Sequence, residues 1–222
     1  MAYVAPSVVT AGDAVTAASY NVLTNDILQF APFVQGVFTT EAARDAAITS
    51  PTEGMHAYLT ASTVAAATGG TTHVPTGIQT IYNGTAWVCV TSVSAYTITE
   101  STTASTTYTP TLAAGGTNPS VTLSTGTTAL ISFSIQSYSQ TLGKYQFASV
   151  AVSGATTLAA SDDNATGHLS PVNGTSVWQY NANTIVLSGL TAGTNTFTLN
   201  YRTSTATNSN IGQRRITVQG IA

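Results

Sequence analysis

Hydrophobic and polar residues alternate through most of the second half of the chain. In Leu130-Ile131-Ser132-Phe133-Ser134-Ile135, the residues Ile131, Phe133 and Ile135 share one side and Ser132 and Ser134 the other, which is the period of a strand with one buried face. Tyr145, Phe147 and Ser149 repeat this period, as do Phe197, Leu199 and Tyr201. The strands predicted this way are Thr106 to Leu112, Ser120 to Leu123, Thr128 to Ser137, Tyr145 to Val152, Val177 to Tyr180, Thr184 to Leu187, Thr194 to Tyr201 and Arg215 to Val218. Turn formers separate them: Gly115-Gly116, Ser153-Gly154, Asn173-Gly174, and Gly189 or Gly193. About eight strands at this spacing predict a β-sandwich of jelly-roll type.

The pattern differs nearer the N-terminus. Tyr20, Leu23, Ile27 and Phe30 recur at helical spacing after Thr16, a capping residue, and predict one amphipathic helix whose apolar face must bury against something. A second short helix is expected from Ala42 to Ile48, with Thr40 as cap and Glu41 in its first turn, ended by Ser50 and Pro51. Two short helices make too little core to stand alone, so they are expected to dock on another subunit or a larger assembly. Between about residues 53 and 94 a compact β unit is predicted from Met55 to Leu59, Ile78 to Tyr82 and Ala86 to Val90, with Asn83-Gly84 as a two-residue hairpin turn and Tyr82 and Trp87 as flanking aromatics. Ala61 to Thr72 reads as a loop. The expected organisation is therefore mainly β: a helical attachment segment (1–52), a small β-hairpin module (53–94) and a C-terminal sandwich (95–222).

Composition narrows the function. Lys and Arg number five and Asp and Glu eight, only 6% of the 222 residues, while 43 threonines suit strands. Five basic residues cannot form a phosphate-binding stripe, so nucleic acid is not an expected partner. The start, MAYVAPSVV, lacks a basic region followed by an apolar stretch, and no run of about 18 apolar residues occurs, so neither classical secretion nor membrane insertion is expected. Cys89 stands alone between Val88 and Val90 and reads as a small buried hydrophobe.

The chemical inventory is thin. His56, His73 and His168 stand in separate contexts, and no HExxH, GxSxG, CxxC or phosphate-loop pattern occurs, so catalysis and a cofactor are not expected. Asp162, Asp163, Asn164 and His168 form the one polar cluster with oxygen donors suited to calcium, but without regular loop spacing they read as an exposed turn. The triplets at Asn83, Asn164 and Asn173 match the N-glycosylation pattern and read as turns too. If the strands bearing Arg202 and Arg214-Arg215 pair, these arginines stand to bind carboxylates or carbonyls at a subunit junction; otherwise they cap strand ends. Trp178 and Tyr180 are candidates for stacking on a glycan, or are two core-facing aromatics at i and i+2.

Thr39 to Pro51, Glu53-Gly54-Met55 with Tyr58-Leu59-Thr60, and Ile81 to Trp87 together resemble a module of tailed-bacteriophage structural proteins. In that module a helix containing Arg-Asp-Ala leads into a Pro-x-x-Gly turn and closes with a Tyr-x-Gly-x-x-Trp hairpin. Arg44, Asp45, Ala46, Pro51, Gly54, Tyr82, Gly84 and Trp87 match it. Gly12 to Asp26 is similar to N-terminal attachment segments of phage minor tail or fibre proteins, and Leu190 to Arg202 with Arg214 to Val218 looks like the last strands of phage appendage domains. The resemblance implies a noncatalytic virion component on tail, neck or fibre, commonly multimeric and preferably trimeric, bound to other virion proteins and made in the host cytoplasm. A capsid-decorating or head-fibre protein and a glycan-binding module are the alternatives, the former implying virion proteins as partners and the latter a host surface glycan.

Overall fold

The computed structural model describes residues 36–63, 65–113, 116–139, 141–170 and 177–222. The expected anchor helix with Tyr20, Leu23, Ile27 and Phe30 lies outside these residues, as does the Asn173-Gly174 turn.

Period-two alternation becomes two facing sheets. One contains β4 (Thr71–His73), β7 (Val93–Thr97), β10 (Thr128–Ser139), β13 (Gln179–Ser188) and β15 (Ser209–Ile221), ordered β13-β10-β15-β7-β4, with β8 (Ser101–Thr103) also paired to β15. The other contains β3 (Ala66–Thr68), β9 (Ser120–Thr125), β11 (Tyr145–Gly154), β12 (Thr166–Leu169) and β14 (Gly193–Thr203), ordered β12-β11-β14-β9-β3. Every pairing within these two sheets is antiparallel. The protein is thus mainly β, a jelly-roll-like sandwich. Ala129, Ile131, Phe133 and Ile135 from one sheet and Val121, Leu123, Phe197, Leu199 and Tyr201 from the other fill its core.

Strand β11 keeps the expected period but in the other phase. Its register sets Ala148 opposite Tyr201 and Phe147 opposite Arg202, so Gln146, Ala148, Val150 and Val152 turn inward. A small alanine beside the buried Tyr201 ring leaves Tyr145 and Phe147 stacked on the outer surface, with ring centres 5.5 Å apart.

Other expectations are corrected by local chemistry. Thr106 to Leu112 is not a strand: Thr109 alone bridges to Tyr201, and the following Pro110 has no N–H to continue a ladder. Val177 to Leu187 holds one strand, β13, not two. The stretch read as a loop from Ala61 to Thr72 supplies β3 and most of β4, which turn at Gly69-Gly70 from one sheet to the other and cover an edge of each. Chain from the expected small module therefore belongs to both sandwich sheets.

A third sheet holds β1 (Gly36–Phe38), β2 (His56–Leu59), β5 (Ile78–Tyr82) and β6 (Trp87–Cys89), in the order β1-β2-β5-β6. The helix α1 (Glu41–Ala47) precedes β2, and its cap is the expected one: Ala43 N–H donates to Thr40 Oγ1 at 3.2 Å. The β5–β6 turn is longer than the expected two residues. Asn83 Oδ1 accepts from the N–H groups of Thr85 and Ala86 at 3.1 and 2.9 Å, and only Gly84 takes positive φ. Strand β6 meets the sandwich at Gly220, where the missing side chain makes room for the Cys89 carbonyl and the Val88 side chain. Ser124 Oγ donates to the Trp87 carbonyl at 2.6 Å and Gln219 Nε2 to the Val90 carbonyl at 2.7 Å, fixing the joint.

Candidate functional site

The helix and the third sheet converge on Arg44. Its guanidinium lies 4.5 Å from the centre of the Trp87 ring, and Trp87 packs at 5.5 Å on Tyr82. Asp45 holds the same guanidinium at 2.8 Å, and Arg44 Nη1 donates to Thr80 Oγ1 at 3.4 Å. Gly54 takes φ +87°, the left-handed region open to glycine, and lets its N–H reach the Tyr82 carbonyl at 2.8 Å. Glu41 accepts hydrogen bonds from Ser62 Oγ and from Thr63 N–H and Oγ1, tying the start of the helix to the chain after β2. Residues spread from Glu41 to Trp87 thus make one packed unit. The Arg44–Trp87 contact has no sequence signal beyond the resemblance.

The three other arginines take three different positions. Arg202 lies on β14 and Arg214 and Arg215 on β15, in opposite sheets, so the pairing that would have brought them together does not occur. Arg202 binds Asp162 through two N–H groups, at 3.0 and 2.5 Å, and its guanidinium stands 4.1 Å from the Phe147 ring centre. Tyr108 donates its hydroxyl to the same carboxylate at 2.8 Å. Arg202 first, then Tyr108, holds the Asp162 carboxyl below its ordinary range, while burial and then Asp162 push the Tyr108 hydroxyl upward. An open groove of about 620 Å³ lies over this cluster. Asp162 thereby has its charge matched within the chain, and Asp162–Asn164 form one turn of 3₁₀ helix. Among the described residues no three His, Cys, Asp or Glu side chains gather to hold a metal.

Arg214 is buried inside the sandwich, where it donates to the Thr99 carbonyl at 3.1 Å and lies 5.8 Å from the Tyr201 ring centre. Arg215 is exposed on the outer face of the six-stranded sheet, 5.0 Å from the Tyr96 ring. Consecutive arginines point to opposite faces as alternation requires. What sets the phase is a bulge just before them: Ser134 faces Arg215 but Gln136 faces Gly212, so one residue of β10 spans two of β15. Gln213 sits in that bulge at φ +39°.

Trp178 and Tyr180 do not face the core. Trp178 packs edge-on against Tyr138, 4.4 Å between centres, and covers Gly212. Tyr180 is 65% exposed and, with Tyr96, Ile98, Ser134, Gln213 and Arg215, lines a groove of about 270 Å³ on the outer sheet face. Neither Tyr96 nor Gln213 stands out by residue type or local pattern. A signal existed: Ile211 is odd-numbered while Ile216 and Val218 are even, and one strand can bury all three only if a bulge switches its phase.

The histidines are separate here too. His56 Nδ1 shares a hydrogen bond with Gln79 Nε2 at 3.2 Å. His168, opposite Gln146, is buried, and desolvation lowers its pKa from the ordinary 6.5. The unfolded chain therefore binds this proton more tightly than the fold. Stability from neutral His168 is complete above about pH 6.5 and declines as pH falls toward the depressed folded value. Urea melts between pH 7.5 and 5 are expected to show this decline, and His168→Gln to flatten it; equal slopes in both proteins would refute the assignment. Cys89 is a buried free thiol, pushed upward by desolvation.

No protein-family model matches this chain, and no curated protein does. Among solved structures it is similar to the structure of Eiger TNF from S. frugiperda, with a TM-score of 0.40 and 11% identity over 58% of this chain and 92% of that one.

Proposed function

We propose that this chain is a noncatalytic structural component of a tailed-phage particle, a tail, neck or fibre protein that holds a β-sandwich outward from its attachment point. The observation that carries the reading is the unit built on Arg44 and Trp87. Of the residues that resemble the phage module, Arg44, Asp45, Gly54, Tyr82 and Trp87 pack together, and the unit is seated on the sandwich through Gly220. A helix clamped to a hairpin and hydrogen-bonded to the sandwich suits a rigid stem. Residues 1–35 precede it and supply the attachment, with Tyr20, Leu23, Ile27 and Phe30 as its apolar contacts. The partners are other virion proteins and two further copies of the chain, and the location is the virion. The scarcity of charge accords with a display surface better than with acid–base chemistry.

Cryo-electron microscopy of the intact particle tests this. Density for the chain at a tail, neck or fibre position in threefold copies is the expected result. Density repeated over the head lattice would transfer the protein to capsid decoration, and its absence from the particle would defeat both. Light scattering on the purified full chain is expected to give three times the 22.7 kDa chain mass.

A further inference from the structure

We propose that the groove between Tyr96 and Tyr180 binds an acidic saccharide, with a sugar carboxylate on Arg215. Arg215 is the exposed cation of this face. Among the described residues the ion pairs are Arg44–Asp45 and Arg202–Asp162, so its guanidinium faces no carboxylate. It lies instead 5.0 Å from the centre of the Tyr96 ring, and both residues line the groove. The rim is aromatic and apolar: Tyr180 is 65% and Ile98 72% exposed, surfaces on which the C–H face of a pyranose can stack. The lining also carries neutral groups that donate and accept, the Ser134 hydroxyl and the Gln213 amide, as sugar hydroxyls require.

The backbone adds an independent sign. Gln213 is the one non-glycine with positive φ among the described residues, and it sits at the bulge that turns Gln213 and Arg215 to the same outer face. Strain kept in a side-chain-bearing residue that lines a groove points to use of that side chain. A second space of about 160 Å³ shares Ser134 and Arg215 with this groove and is also lined by the hydrogen-bonded Ser132 and Thr184 hydroxyls, further partners of the kind sugar hydroxyls need.

Competing ligands fit less well. One guanidinium does not match a polyphosphate. A peptide adding as a strand needs a free sheet edge, whereas this groove lies across the faces of β7, β15, β10 and β13, whose inner members are paired on both sides.

The test uses the full chain on an array of uronate- and sialate-bearing oligosaccharides with their neutral parents, followed by calorimetric titration of the strongest binder. Saturable binding of an acidic glycan is expected, at least tenfold tighter than its neutral parent. Arg215→Gln should remove that preference, and Tyr180→Ala should weaken binding tenfold or more. Both side chains are exposed, so melting temperatures should stay within a few degrees. No saturable binding by any acidic probe, equal binding of the neutral parent, or unchanged binding by both variants would overturn the proposal. Competition by poly-glutamate at equal strength would reassign the groove to acidic peptides and overturn it as well. None of these results depends on where in a particle the chain sits.

Discussion

Gly220→Val is expected to lower the stability of the whole chain by about 3 kcal/mol, a fall in melting temperature of roughly 6–12 °C. A Cβ at this position would stand 2.6 Å from the Cys89 carbonyl oxygen and 2.7 Å from Val88 Cγ1. The obstacle is backbone, and it has nowhere to retreat. Strand β6 is paired to β5 on one side and hydrogen-bonded through Trp87 and Val90 to the sandwich on the other. Valine must therefore either unseat the third sheet or displace the end of β15. Gly70→Ala is the control: its Cβ would meet only ordinary contacts, 3.5 Å from Thr97 and Tyr96, and should change stability by no more than about 0.5 kcal/mol. Thermal melts of the two variants decide the matter, and equal melting temperatures would remove Gly220 from its role as the joint.

Tyr201→Ala is expected to cost roughly 3–5 kcal/mol, because the ring is wholly buried where β14 faces the other sheet. Tyr201→Phe separates packing from hydrogen bonding. The hydroxyl donates to Asn118 Oδ1 at 2.7 Å, and Asn118 Nδ2 donates in turn to the Leu199 carbonyl at 2.8 Å. Removing the hydroxyl leaves the Asn118 oxygen without that donor, at a cost of about 1–2 kcal/mol. Arg214 lies against the same ring, so the alanine variant also opens space beside a buried cation. Denaturant titration should rank the proteins wild type, phenylalanine, alanine. A phenylalanine variant as stable as wild type would show that the Asn118 contact is dispensable.

Much of this architecture was legible in local pattern. Ile131, Phe133 and Ile135 announced a half-buried strand, and Phe197, Leu199 and Tyr201 another, because alternation depends only on the strand's own sequence. Phase was less accessible. Tyr145 and Phe147 alternate as well as any core pair, yet the partner strand decided which face went inward: Ala148 had to sit opposite Tyr201. The strands β3 and β4 escaped notice because Ala, Thr and Gly carry almost no periodic signal, and their strand form comes from the edges they cover. Side-chain chemistry behaved the same way. Trp178 and Tyr180 stood out by type, whereas Tyr96 joins Tyr180 only through the order of four strands, and Gln213 only through a bulge. Arg202 looked available for a partner subunit until Asp162, 40 positions earlier, came beside it.

Strand β15 lies in the middle of its sheet, bonded to β10 on one side and to β7 and β8 on the other, with Val218 opposite Val93. During synthesis, β7 must therefore wait for more than a hundred further residues before its central partner exists. Residues from β7 to β14 can collapse and pair in part, but the larger sheet has a gap at its centre until β15 arrives. Loop closure of that length makes folding slow, because the central pairing of the larger sheet has to wait for β15. In that interval the unpaired edges of β7 and β10 are open to one another or to neighbouring chains. Low temperature and slow synthesis would then favour recovery of the folded protein, and the growing chain's hazard is aggregation through a missing middle strand.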